Sequence, residues 1–210
     1  MLPSFSRDAD VVEVGVDEAG RGSLIGDVFA GAVIWNPELD DPLAKQIKDS
    51  KKVSRKKREM LRYYIEDNAV DFAVASRSAQ RIDQVNVLRA TQEAMHAALD
   101  SLQVDFDLIV VDGDFFRPYY SVTHNARKRH ECVVGGDGAY TSVAAASILA
   151  KVYHDEHIRE LVRENPCLEK YKLLDNMGYG TPAHIDALRA DGATPWHRMS
   201  FGVCASCRVD

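Results

Sequence analysis

The sequence has no hydrophobic run long enough to cross a bilayer, which takes roughly 20 apolar residues. Its longest predominantly apolar runs, residues 28–35 and 143–150, contain eight residues each, and the second includes Ser147. No basic segment followed by an apolar stretch opens the chain, so we expect no secretory signal. Four cysteines in 210 residues are too few and too scattered for a disulfide framework. We therefore expect a cytoplasmic protein with reduced cysteines and no membrane contact.

Neither glycine, proline nor charge dominates the composition. Hydrophobic residues make up 46% of the chain and charged residues 28%, close to the average for globular proteins. This balance excludes a disordered tail protein and a fibrous repeat. We expect one monomeric domain over residues 1–210, in which about residues 170–210 form a packed C-terminal extension.

Net positive charge is also absent, because the formal net charge is −6. The positive charge is nevertheless segregated, since residues 45–62 carry nine basic and two acidic side chains. Such segregation can steer a polyanion to one surface despite an acidic average. The same segment also fits a solvated helix face, so charge alone leaves both interpretations open.

Short hydrophobic segments alternate with longer amphipathic ones along the chain. The pattern predicts strands at residues 11–16, 28–35, 70–75, 108–111 and 132–134. It predicts helices at residues 55–68, 85–102, 141–163 and 182–191. Strands interleaved with helices indicate an α/β fold.

Carboxylates follow three of the predicted strands. Asp17 and Glu18 close the first, Asp112 closes the fourth and Asp137 follows the fifth. Carboxylates at neighbouring strand ends meet in one crevice, where their repulsion is relieved by cations. Oxygen ligands without histidine or cysteine favour Mg²⁺ or Mn²⁺ over zinc. An aspartate before glycine, taken singly, also fits a turn, but the set favours a metal site.

The glycine-rich segment 20–26 raises a competing possibility, a dinucleotide-binding loop with Asp40 or Asp41 on the ribose. That fingerprint requires a helix to begin at the glycines. Residues 28–35 instead predict a strand, which argues against a nucleotide-dependent oxidoreductase. A hairpin whose glycines let another backbone approach closely fits better.

Residues 15–22, GVDEAGRG, resemble the opening motif of the ribonuclease HII family, the type 2 ribonucleases H. The resemblance continues in family order through residues 49–52, 111–113, 137, 144–151, 178–181 and 197–201. It implies a ribonuclease H-like fold, in which helices flank a mixed central β-sheet and a helical extension follows at the C-terminus. An aspartate at 137 favours this family over the related ribonuclease HIII group, which usually has glutamate there.

The resemblance also implies an endonuclease that hydrolyses the RNA strand of RNA–DNA hybrids. It would cut 5′ of ribonucleotides embedded in duplex DNA and leave 5′-phosphate and 3′-hydroxyl ends. The metal-binding and catalytic carboxylates fall on Asp17, Glu18, Asp112 and Asp137. Two Mg²⁺ or Mn²⁺ ions are expected, one activating water and one stabilising the leaving oxygen. A non-catalytic hybrid-binding module is the alternative, but binding alone gains nothing from four repelling carboxylates beside a polyanion.

Substrate recognition, by the same resemblance, falls on the loop Gly20-Arg21-Gly22 and on Tyr179. The loop would approach the 2′-hydroxyl of the ribonucleotide, and the tyrosine would sense the junction between RNA and DNA. Contacts to the 2′-hydroxyl are how proteins distinguish RNA from DNA. The alternative for Tyr179 is a structural turn residue between two glycines.

Four further residues have more than one interpretation. Lys51 and Arg198 can contact backbone phosphates or be ordinary surface charges. Cys204 and Cys207 have the spacing of a zinc-binding pair, but no second pair accompanies them. Their role stays open.

Overall fold

The computed structural model describes residues 1–6, 8, 10–123 and 125–207, with the backbone alone at Lys52. The strands are β1 (Glu13–Ala19), β2 (Val28–Ile34), β3 (Asp71–Arg77), β4 (Leu108–Asp112), β5 (Tyr120–Ser121), β6 (Ala126–Arg127) and β7 (Arg129–Val133). The helices are α1 (Arg55–Asn68), α2 (Ala79–Val85), α3 (Val87–Ser101), α4 (Thr141–Glu164), α5 (Leu173–Asn176), α6 (Pro182–Asp191) and α7 (Gly202–Ala205). Short 3₁₀ helices span Ala44–Gln46, Ser50–Lys52, Gly136–Gly138 and Pro166–Tyr171.

Five strands form the central sheet, in the order β3-β2-β1-β4-β7. The β1–β2 and β2–β3 pairs are antiparallel. The β1–β4 and β4–β7 pairs are parallel. The mixed sheet expected from the family resemblance is confirmed, and each predicted strand is present with ends shifted by a few residues.

Helices cover both faces of this sheet. On one face, α3 packs against the alternate residues Val14 and Val16 of β1 and Ile109 and Val111 of β4. On the other face, α4 and α1 pack together against β2. Each strand of the centre is therefore buried on both sides, which is why β4 reads as a continuous apolar run.

The predicted helix at residues 85–102 begins two residues later than expected. Asn86 has a φ of 69° and separates α2 from α3. Its side-chain oxygen accepts a hydrogen bond from the amide of Arg89 and so caps α3. The sequence did not predict this break, because the apolar pattern continues across it. Asparagine can occupy the break because it tolerates a positive φ better than most residues.

The long helix α4 lies unusually close to the sheet because two strand glycines face it. A Cβ at Gly31 would lie 2.6 Å from the carbonyl oxygen of Ala146, and one at Gly15 would lie 2.2 Å from the carbonyl carbon of Ser142. The first ten residues of α4, 141–150, are all buried. This close packing fixes the start of α4, and with it the loop that carries Asp137.

The C-terminal extension packs as a separate apolar cluster onto the second half of α4 and onto the β1–β2 connection. Leu24 and Ile25 of that connection contact Ile158 and Leu161 of α4 and, from the extension, Leu168, Tyr171 and Leu188. The extension therefore lies directly behind the glycine loop. Within the described residues, no helix has the length and hydropathy needed to cross a membrane.

Candidate active site

Three of the predicted carboxylates meet at one end of the sheet. Val16 of β1 lies beside Val111 of β4 in parallel register, so the next residues, Asp17 and Asp112, lie side by side. Side chains alternate along a strand, and both aspartates point to the α4 face because the valines before them point to α3. Asp137 reaches the same place from the 3₁₀ helix before α4. One carboxylate oxygen from each lies within 4.8 Å of the others.

Burial and mutual repulsion make this cluster unfavourable for negative charge. Burial raises the pKa of Asp17 well above its usual value, and the neighbouring carboxylates of Glu18 and Asp112 raise it further. Burial, followed by repulsion from Asp112, also raises the pKa of Asp137. A hydrogen bond from the Ser147 hydroxyl opposes the shift at Asp17. A bound cation would remove the repulsion that these shifts report.

The donor set fits a hard divalent cation. Oδ1 of Asp112 is buried and has no hydrogen-bond partner among the described residues. A buried carboxylate oxygen without a partner is costly, and a cation would satisfy it. The three ligands are all carboxylate oxygens, which suits Mg²⁺ or Mn²⁺. The nearby ammonium of Lys51 lies 4.0 Å from Asp137 Oδ2 on a side chain that is 81% exposed.

Glu18 is held apart from the three aspartates. It follows Asp17 on β1 and therefore points to the α3 face of the sheet. There it lines a cleft together with Asp112, Asp114 and Phe115. Its Oε1 accepts a hydrogen bond of 3.1 Å from Arg21. Burial raises the pKa of Glu18, and the charge of Arg21 partly opposes that shift.

The loop Gly20-Arg21-Gly22 forms a tight turn between β1 and β2, as the hairpin prediction requires. Gly20 has a φ of 87°, a conformation that favours glycine. The nearest neighbour of Gly20 is a side chain, but the backbone carbonyl oxygen of Asp27 is also close, 3.1 Å from where a Cβ would lie, in line with the expected hairpin. A Cβ there would lie 2.5 Å from Cδ2 of His154, a fully buried residue of α4.

Arg198 lies beneath this loop and is 0% exposed. Its guanidinium donates hydrogen bonds to the carbonyl oxygens of Gly20, Arg21, Gly26 and Asp27. No guanidinium surface is left for a phosphate. The prediction that Arg198 contacts phosphate directly is therefore wrong, because its donors are used inside the protein.

Tyr179 is attached to the same loop from the C-terminal side. It pairs with Ser23 in an antiparallel bridge, and its hydroxyl shares a hydrogen bond with the backbone of Gly20. Its half-buried ring packs against His154, with ring centroids 5.8 Å apart. The Lys151 ammonium lies 5.1 Å from the ring centroid. The loop and the tyrosine thus form one unit, which we call the loop–tyrosine unit.

Two buried histidines fix the backbone of Tyr179. Nδ1 of His184 lies 3.1 Å from the Tyr179 carbonyl oxygen, and Nε2 of His184 lies 3.2 Å from Nε2 of His197. Nδ1 of His197 accepts from the backbone amide of Thr194. The chain is satisfied when both imidazoles are neutral, with His197 donating to His184 and His184 donating to Tyr179.

Sequence reasoning missed three residues at the site. Asp49 shares a hydrogen bond with Asp137, and its place in the block 49–52 was the available signal. Ser147 contacts Asp17, and a hydroxyl inside an alanine-rich helix was a second signal. His154 carried no signal, because its partners Gly20 and Tyr179 are distant in sequence.

The remaining candidates have structural partners. Asp155 accepts from Lys151 at 2.7 Å, as the spacing on one helix face predicts. Cys204 is buried, with its Sγ 3.8 Å from the Leu24 carbonyl oxygen. In the part of the chain that the structure describes, only the three aspartates form a group with metal-ligand geometry.

Comparison with known proteins agrees with this architecture. The Ribonuclease HII family model matches residues 14–204. The Ribonuclease HII of Parabacteroides distasonis is 45% identical over 190 residues, which cover 90% of this chain and 89% of that protein.

Two solved structures show the same fold. The ribonuclease H2 from Pyrococcus horikoshii OT3 has a TM-score of 0.72 at 26% identity, covering 92% of this chain and 95% of its own. Bst-RNase HIII in complex with Mn²⁺ has a TM-score of 0.71 at 19% identity, covering 93% and 68% respectively, and at that identity shows the fold alone. The ribonuclease H-like fold expected from the sequence is confirmed.

Proposed function

The chain belongs to the ribonuclease HII family, and from this premise we propose that it cuts 5′ of ribonucleotides embedded in duplex DNA. Ribonuclease H activity on RNA–DNA hybrids follows from the family itself. The finer proposal includes 5′-phosphate and 3′-hydroxyl ends. The observation that carries it is the cluster of Asp17, Asp112 and Asp137, whose oxygens lie within 4.8 Å of one another. Asp17 lies on β1, the strand that leads into the loop–tyrosine unit.

We propose that Asp17, Asp112 and Asp137, together with Glu18, bind two Mg²⁺ or Mn²⁺ ions. When bound, such ions neutralise the carboxylates and act as Lewis acids on the phosphodiester and on water. The protein supplies no nucleophile of its own in this proposal. Its carboxylates fix the position of the cations, and Lys51, exposed beside Asp137, contacts a substrate phosphate.

Recognition is assigned to the loop Gly20-Arg21-Gly22 and to Tyr179. The loop is exposed at Arg21 and Gly22 and offers backbone amides to a ribose hydroxyl. The ring of Tyr179 offers a flat surface for a sugar or base at the junction. A single embedded ribonucleotide has only one 2′-hydroxyl, so each contact at the junction carries a larger share of the discrimination between RNA and DNA.

The test uses three end-labelled duplexes: DNA with one ribonucleotide, an RNA–DNA hybrid, and DNA alone. Each is incubated with the protein in Mg²⁺, in Mn²⁺ and in EDTA. We expect cleavage of the first two only, and only with a divalent cation, at the 5′ side of the ribonucleotide. The ends are identified by ligation and by phosphatase treatment.

Two results would contradict the proposal. Cleavage of the hybrid without cleavage at the single ribonucleotide would reject the finer substrate assignment. Binding of both ribonucleotide-containing duplexes without cleavage of either would support the alternative of a non-catalytic hybrid-binding module.

A further inference from the structure

We infer that Arg198 is a positioning residue that turns the amides of Arg21 and Gly22 towards the substrate and thereby sets the preference for a ribonucleotide. This inference rests on the proposed function, in which the loop reads the 2′-hydroxyl. It gives a role to a buried cation that contacts neither the carboxylates nor the surface.

The geometry of Arg198 determines the direction of four carbonyl groups. Its Nη1 donates to Gly20 O at 2.7 Å and to Arg21 O at 3.1 Å. Nε donates to Gly26 O at 2.9 Å, and Nη2 donates to Asp27 O at 3.0 Å. One rigid, planar guanidinium thus joins both ends of the β1–β2 connection. The loop cannot rotate these peptides without breaking hydrogen bonds to a buried charge.

The outward direction of the loop amides follows from peptide geometry. In a trans peptide the carbonyl of one residue and the N–H of the next point in opposite directions. Because the carbonyls of Gly20 and Arg21 point inward to Arg198, the N–H groups of Arg21 and Gly22 point outward. Neither N–H has a hydrogen-bond partner within the described residues. Two adjacent unpaired amides make a concave site for an electron-rich oxygen.

The buried charge remains in place at neutral pH. Burial lowers the pKa of Arg198 to about 10, so the group is still protonated. Within the described part of the chain its hydrogen-bond partners are backbone carbonyls and not carboxylates. The aromatic ring of Phe201, 5.3 Å from the guanidinium carbon, covers it further. The positively charged guanidinium therefore acts by holding the backbone of the loop through hydrogen bonds.

Lysine at this position keeps the charge but not the geometry. Its three donors share one nitrogen, which cannot reach four carbonyls spread over residues 20–27. We therefore expect Arg198→Lys to free one or more loop peptides to rotate. The matched control is Arg189→Lys on α6, where the arginine is exposed and, within the described residues, forms an ion pair with Asp186.

The experiment measures the ribonucleotide preference of binding. Affinities for the duplex with one ribonucleotide and for the all-DNA duplex are measured in Ca²⁺, which we expect to support binding with little turnover because of its looser coordination. In Arg198→Lys we expect the ratio of the two affinities to fall at least tenfold. We expect the affinity for all-DNA duplex to stay within about twofold of the wild type. Arg189→Lys should keep the wild-type ratio.

The outcomes separate this inference from the proposed function. A wild-type protein without ribonucleotide preference or cleavage would reject the proposed function itself. A wild-type preference that Arg198→Lys retains would overturn the inference alone, as would an equal loss of affinity for both duplexes. If Arg198→Lys does not fold, Arg198→Gln takes its place, and unfolding of both variants would also overturn a role in specificity.

Discussion

The carboxylate of Asp112 lies in an environment that is unfavourable for a negative charge. One of its oxygens is buried without a partner in the described structure, and its charge raises the pKa of Asp17, Glu18 and Asp137. No packing or hydrogen-bonding need explains such an arrangement. A cation site explains it, because the same repulsion that lowers the stability of the metal-free protein favours the binding of a cation.

Replacing Asp112 with asparagine should therefore separate activity from stability. Asp112→Asn keeps the size of the side chain but loses the charge that binds metal, so we expect cleavage in Mg²⁺ to fall about 100-fold or more. In EDTA the variant should be at least as resistant to urea as the wild type, because repulsion within the cluster is reduced. The control is Asp67→Asn, in the last turn of α1 and exposed, which should keep wild-type cleavage. Cleavage by Asp112→Asn within tenfold of the wild type would remove Asp112 from the site.

Tyr179 gives a prediction about substrate preference. Loss of one stacked ring costs roughly 1–3 kcal/mol, or about one to two orders of magnitude in rate if it acts in the transition state. Tyr179→Ala should therefore lower kcat/KM on a single embedded ribonucleotide far more than on a continuous RNA strand. Tyr179→Phe should be milder, because it keeps the ring and loses only the hydroxyl bonded to Gly20. Equal losses on the two substrates would mean that Tyr179 has only a structural role.

At the scale of secondary-structure elements, the contact between α4 and β1 determines where Asp137 lies relative to Asp17 and Asp112. A Cβ at Gly15 would collide with the backbone of Ser142 and Val143 in the first turn of α4. The loop carrying Asp137 leads directly into that turn. Any displacement of α4 from the sheet therefore moves one of the proposed metal ligands, Asp137, relative to the two on the strands.

We accordingly expect Gly15→Ala to lower both stability and activity. Overpacking against a backbone costs about 1–3 kcal/mol of unfolding free energy or more, which urea titration measures. Cleavage assayed well below the variant's melting temperature should fall as well. In Gly202→Ala the added Cβ meets nothing within 4 Å, so both quantities should stay near wild type. A Gly15→Ala variant with wild-type stability but no activity would contradict the expected loss of packing and limit the structural change to the site.

The first turn of α1 contains basic residues and no acidic one, although cations at a helix N-terminus are unfavourable for the helix dipole. Lys48 and Lys56 are exposed in this region, and neither forms an ion pair within the described part of the chain. Attraction to the phosphates of a nucleic acid beside these lysines would offset the unfavourable interaction with the helix dipole. We expect the double change Lys48→Ala/Lys56→Ala to weaken binding of hybrid and all-DNA duplexes alike.

The salt dependence of binding tests this interpretation. Each lost phosphate contact should reduce the slope of log K against log salt by about 0.9 for duplex DNA. Arg163→Ala, at the opposite end of α4 from the aspartate cluster, serves as the control because its side chain is 72% exposed. An unchanged slope in the double variant would assign the basic segment to a solvated helix face.

Across the whole molecule, buried neutral histidines should make folding sensitive to acid. Burial, and then the neighbouring His184, lower the pKa of His197 to about 3 from 6.5. Between these values the unfolded chain binds a proton that the folded chain excludes. The contribution of this residue to stability is thus present above pH 6.5 and is lost as the pH falls below it.

A variant isolates this contribution from the raised carboxylate pKa values, which act in the opposite direction. One proton changes the unfolding free energy by at most about 1.36 kcal/mol per pH unit. Urea titrations in EDTA at pH 7, 6 and 5 should show a smaller acid-induced loss in His197→Asn than in the wild type. If the unfolding free energies of the two proteins changed in parallel with pH, the pKa of His197 would not be lowered in the folded protein.

The sequence by itself determined the five strands of the central sheet, the four longest helices and the aspartates of the proposed metal site, but not the short β5–β6 pair. Apolar runs and helix caps are local features, so β4 could be predicted from its continuous apolar run, and α6 from the Thr181-Pro182 start and the Gly192 stop. Asp17 and Asp112 could be predicted as neighbours because each directly follows an apolar strand, and parallel strands end at a common edge. The GVDEAGRG motif then supplied the family and its chemistry.

Only the tertiary structure decided which polar residues work inside the protein. Arg198 looked like a surface cation, but its hydrogen-bond partners lie more than 170 positions away along the chain. Glu18 could not be separated from Asp17 until the two faces of β1 had been assigned to α3 and α4. His154 became visible only beneath Gly20 and Tyr179. Burial depends on which distant segments meet, and local sequence patterns do not contain that information.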